Sequence, residues 1–140
     1  AKGMAEGNHI NDNAAAGVTV STSANPTLRK NKIFEGRSHG VMVYNYGLGF
    51  FEKNSIVSNK GEGVLVETGG AMHLRDNTIT GNKGSGVLLR HNAAGQVEDN
   101  EIHDNSGEAE VSVDTESTPV IGGNSIWGNK SFGLLMQGSS

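Results

Sequence analysis

Tyr44, Glu67, Arg90 and Asp114 follow one another at intervals of 23, 23 and 24 residues. A phenol, two carboxylates and a guanidinium are groups that can bind or move protons. Placed side by side, they could act on the carbon-bound proton of an acidic sugar, as a lyase or epimerase must. His91 follows Arg90 and adds a further base. The same interval carries a second series two residues upstream, Met42, Leu65 and Leu88, which is apolar. An apolar row beside a charged one is the pattern of a surface that binds a partner. The bland alternative is pairing between neighbours, Glu67 with Arg90 and Arg90 with Asp114, each pair worth roughly 0.2–1 kcal/mol.

These spacings belong to a repeat. The triplet Asn-x-Ile begins at Asn8, Asn31, Asn54, Asn77, Asn100 and Asn124, and a glycine follows nine residues later at Gly17, Gly40, Gly63, Gly86 and Gly133. A fixed period of this length means a solenoid. After each glycine the residues alternate: Val18/Val20, Val41/Val43, Val64/Val66, Val87/Leu89, Val111/Val113 and Leu134/Met136 read as inward. A second strand points Leu28, Phe51, Leu74, Val97 and Ile121 inward, and a third carries the isoleucines of the triplets. Three short strands and three bends per repeat make one triangular coil, and positions one repeat apart become vertical neighbours about 4.8 Å apart. The expected fold is all-β, a right-handed parallel β-helix of about six coils formed by residues 1–140 as one domain, read as part of a longer chain.

That geometry sorts the candidates. The outward positions of the first strand form two columns, Thr19, Met42, Leu65, Leu88, Ser112, Leu135 and then Ser21, Tyr44, Glu67, Arg90, Asp114, Gln137. The candidate binding set is Met42, Tyr44, Leu65, Glu67, Leu88, Arg90 and Asp114, with Met42, Leu65 and Leu88 expected to face solvent. A cation shared by Glu67 and Asp114 would span two coils, roughly 9–10 Å, with Arg90 between. Neither a His-Glu-x-x-His pattern nor an acidic calcium loop occurs, and the histidines fall in different columns. No metal or cofactor is therefore expected, and no catalytic residue is assigned.

The asparagines read as structural. The sharp bend after the second strand calls for a left-handed residue, which Asn tolerates better than other side chains, and stacked amides can bond along the column. A second column runs through Asn13, Asn59, Asn82, Asn105 and Asn129, with Gly36 in the second coil. The fifth coil holds one extra residue in Asn105–Glu110, where Glu110 stands in the place of the glycine. An insertion in a surface bend keeps Val111 and Val113 inward, whereas one in a strand would invert its faces.

Composition bounds the partners. The net charge is −4 and the pI about 5.7, against the basic face that a nucleic-acid groove needs. No apolar run is long enough to span a bilayer. The chain has no cysteine, so it holds no disulfide and no thiolate metal site. The first and last coils lack covering segments, which predicts a marginal isolated chain or end-to-end self-association.

The repeat Asn-x-Ile-x-x-Asn-x-x-x-Gly-Val-x-Val resembles the parallel β-helix repeat of carbohydrate-binding proteins and sugar hydrolases. Two segments, Pro26-Thr27-Leu28-Arg29-Lys30-Asn31-Lys32-Ile33-Phe34-Glu35-Gly36 and Gly47-Leu48-Gly49-Phe50-Phe51-Glu52-Lys53-Asn54-Ser55-Ile56, are similar to the β-helical region of F-box-only proteins. In that family the region recruits the substrate of a ubiquitin ligase. The resemblance implies a non-catalytic module that binds a protein substrate in the cytoplasm or nucleus; the broader one implies a polysaccharide as partner instead.

Overall fold

The computed structural model describes residues 1–138. Its strands form three parallel six-stranded sheets, and each sheet takes one strand from every coil. The valine sheet contains Val18–Val20, Val41–Val43, Val64–Val66, Val87–Leu89, Ala109–Val113 and Phe132–Met136. The isoleucine sheet contains His9–Asn11, Lys32–Phe34, Ser55–Val57, Thr78–Thr80, Glu101–His103 and Ser125–Trp127. The third, whose inward residue varies, contains Met4–Glu6, Thr27–Arg29, Phe50–Glu52, Ala71–Arg75, Ala94–Glu98 and Val120–Gly122.

Register is kept from coil to coil. Val64 pairs with Val87 and Val87 with Val111, and all three lie in one core cluster with no exposed surface. Ile56, Ile79 and Ile102 line up likewise on the second wall, and Phe51, Leu74 and Val97 on the third. β-branched residues suit this stack because they pack side by side on a pleated surface. At the ends the same positions have a coil on one side only. Leu134 is 45% exposed and Met136 62%, although both occupy inward columns.

The asparagine columns are ladders. Asn77 Oδ1 accepts from Asn54 N at 2.8 Å and Asn54 Nδ2 at 3.0 Å. Its own Nδ2 donates to Phe51 O at 2.9 Å and to Asn100 Oδ1 at 3.0 Å. The second column repeats the pattern through Asn59, Asn82 and Asn105. Each buried amide thus finds partners for both its oxygen and its nitrogen, as a low-dielectric interior demands. Among the described residues no buried side-chain nitrogen or oxygen lacks a partner.

The left-handed residue is not the asparagine. It is the residue before: Lys30, Lys53, Asp76 and Asp99 take φ of 54°, 56°, 56° and 56° at the first corner. Asp12, Glu35, Ser58 and Asp104 do the same at the second, with φ between 52° and 58°. The ladder fixes this. An asparagine whose amide must reach the neighbouring coil turns inward as the next strand begins, so the reversal falls one residue earlier. The third corner uses two consecutive left-handed residues, such as Asn45 and Tyr46 at 48° and 63°, or His91 and Asn92 at 56° and 65°.

The fifth coil also departs from expectation. Glu110 does not sit in a surface bend; it is fully buried within the five-residue strand Ala109–Val113. Its carboxylate accepts from Asn105 N at 3.0 Å, Asn105 Nδ2 at 2.6 Å and Asn129 Nδ2 at 2.7 Å. The carboxylate takes the place that Asn129 Oδ1 would hold in a regular coil and splices the ladder across the extra residue.

Candidate functional site

The outward face of the valine sheet brings the sequence-derived set together. In-register pairing of Met42 with Leu65 and Leu65 with Leu88 makes these three a continuous column. They do not all face solvent. Leu65 is 2% exposed, while Met42 and Leu88 are half-buried. A long side chain on the coil to either side accounts for the shielding of Leu65, since adjacent strands stand about 4.8 Å apart. The fifth member, Ser112, is also buried. Within the candidate set the accessible apolar surface therefore comes from Met42 and Leu88, and Leu65 is the packed link between them.

The charged column is half-buried along its length at Tyr44, Glu67, Arg90 and Asp114. Arg90 Nε donates to Glu67 Oε1 at 2.8 Å. The anticipated second pair, Arg90 with Asp114, does not form; Asp114 Oδ1 instead accepts from Thr115 Oγ1 at 2.9 Å. With Glu67 tied to Arg90 and Asp114 to its neighbour, the face presents fixed charges in a row. Among the described residues, no group of three His, Asp or Glu side chains could hold a metal ion.

Two aromatic contacts between coils lie outside the candidate set. Tyr46, at the corner beside this face, is 65% exposed, and its ring lies over Gly69, where a Cβ would come within 2.5 Å of the ring. A side chain at that position would push the exposed ring aside, a signal visible in the sequence as Thr68-Gly69 one repeat after Asn45-Tyr46. On the isoleucine sheet, Trp127 stacks on His103 with centroids 4.2 Å apart and planes 4° from parallel. Some charges outside the valine sheet pair between coils, as Arg29 does with Glu52 at 3.1 Å and Arg37 with Asp12 at 3.5 Å.

A family model described as the right-handed β-helix region matches residues 1–94 and again residues 50–140. The chain belongs to the right-handed β-helix family. The two matches overlap because a repeat aligns equally well from more than one coil. No curated protein and no solved structure matches the chain. For this right-handed β-helix the family match covers the winding and the stack of coils.

Proposed function

We propose that this β-helix is a non-catalytic recognition module that binds a protein along the outward face of the valine sheet, as the substrate-recruiting part of a ubiquitin ligase does. One observation carries the reading. Met42 and Leu88 lend apolar surface beside Tyr44, the Glu67–Arg90 pair and Asp114, which directly follow the ends of strands locked in register. Such a face is ordered before any partner arrives, so binding it costs little conformational entropy. The similarity of segments 26–36 and 47–56 to F-box-only proteins supports a protein as the partner. The competing reading, a polysaccharide-binding or polysaccharide-modifying protein of the lyase or epimerase type, places its substrate on the same face.

The test pairs Met42→Asp with Leu88→Asp and, separately, uses Arg90→Glu. Leu65 is left alone, because a charge at a site with so little exposure would disturb the fold. With circular dichroism unchanged, both variants should lose about tenfold or more in affinity for a protein partner identified by cross-linking to the native chain. Retained binding refutes the assignment of the face. Turnover of an acidic polysaccharide, abolished by Arg90→Ala, would replace the protein reading with the enzymatic one.

A further inference from the structure

The corner between the isoleucine sheet and the variable sheet carries an unusual order of charge. Its outermost column reads Lys30, Lys53, Asp76, Asp99, between Gly7 and Gly123 in the end coils. All four charged residues are exposed. Like charges sit next to each other here, about 4.8 Å apart at the backbone, which disfavours the isolated arrangement. Among the described residues, Lys30, Lys53 and Asp99 enter no ion pair, and Asp76 pairs only with Arg75 beside it, at 3.7 Å.

A column that reads plus, plus, minus, minus matches its own reversal. We propose that this corner is a self-association surface on which two copies of the chain lie side by side and antiparallel. A two-fold axis tangent to the corner and perpendicular to the stack sets each column against the same column run backwards. The second coil then faces the fifth and the third faces the fourth. Lys30 meets Asp99 of the second copy, and Lys53 meets its Asp76.

The flanking columns obey the same rule independently. On the variable sheet, Arg29 meets Glu98 and Glu52 meets Arg75. On the isoleucine sheet, Lys32 meets Glu101, while Ser55 meets Thr78. No like charges meet in any of the three columns. An axis along the stack fails, since it sets Lys30 against Lys30 and Arg29 against Lys32. The second corner fails too, because reversal sets Glu35 against Asp104 and Lys60 against Lys83. Self-complementarity under a two-fold is the requirement for a closed dimer. Exposed ion pairs are individually weak and screened by salt, so the dimer is weak at physiological ionic strength and strengthens as salt falls.

The test is charge reversal read by sedimentation equilibrium of the whole chain. Lys30→Glu with Lys53→Glu makes the column uniformly acidic, and Asp76→Lys with Asp99→Lys makes it uniformly basic. Lys already takes the left-handed backbone in this column, and Glu35 takes it at the matching place of the second corner, at φ of 52° to 56°, so the variants should fold. The native chain should dimerise at low salt. Each double variant alone should dimerise about tenfold or more weakly, their equimolar mixture should recover dimer, and the fourfold variant should recover it by itself. A native chain that stays monomeric at low salt overturns the proposal, including one whose lysines instead bind heparin as a polyanion. So does a dimer indifferent to these reversals but lost on Leu134→Lys with Met136→Lys, which would mean end-to-end stacking.

Discussion

Glu110 is the residue at which this repeat is most informative. Gly40, Gly63 and Gly86, at the matching place in their coils, lie beside the ladder amides of Asn59, Asn82 and Asn105; here a buried carboxylate supplies acceptors to Asn105 and Asn129. Both of its oxygens are used as acceptors. Glu110→Gln would turn an NH2 toward an N–H whichever way the amide is oriented, leaving a buried donor without an acceptor at a cost of about 1–3 kcal/mol. A lower urea midpoint with unchanged slope is the expected result, and an unaltered midpoint would show that the splice contributes nothing to stability. The sequence marks the break in the glycine column but not its depth. An acidic residue in an irregular stretch reads as surface, and only the neighbouring ladder reveals the donors waiting for it.

At the scale of corners and strands, legibility followed the strength of the constraint. Columns of Val, Ile and Asn are dictated by the stack, so the three walls and both ladders could be read from spacing alone. The left-handed residues could not, because Lys, Asp, Glu and Ser at those positions carry no conformational signature of their own. The column holding Glu35 and Ser58 also holds Gly81 and Gly128, with φ of 70° and 80°. Glycine enters that conformation without the penalty of a Cβ. Relief of that penalty exceeds the entropy a glycine adds to the unfolded chain, so Glu35→Gly should stabilise the chain by about 0.5–1 kcal/mol, seen as a higher melting temperature; a lower one would mean that the side chain contributes more than its backbone strain costs. The candidate face was legible as a set of neighbours and misread in exposure. Sequence places Leu65 outward, but its shielding depends on the side chains of two other coils. Pairing was misread for a similar reason: Asp114 has a closer partner in Thr115 than in Arg90.

Across the whole molecule, stability is distributed by position in the stack. A solenoid gains from each contact between coils, so a coil covered on one side holds less than one covered on both. Leu89 and Leu134 show the contrast, the first with no exposed surface and the second 45% exposed. Leu89→Ala should cost about 2–5 kcal/mol, within the range for buried leucines, whereas Leu134→Ala should cost under about 1 kcal/mol. Equal losses in chemical denaturation would mean that the last coil is covered in solution. The stack also has a mechanical consequence. Its first and last coils lie at opposite ends of every sheet, so a pull on the two termini runs along the stacking axis and loads the bonds between coils lengthwise. Under tension the protein should yield from its ends in discrete steps, each paying out one repeat, about 75 Å of slack chain.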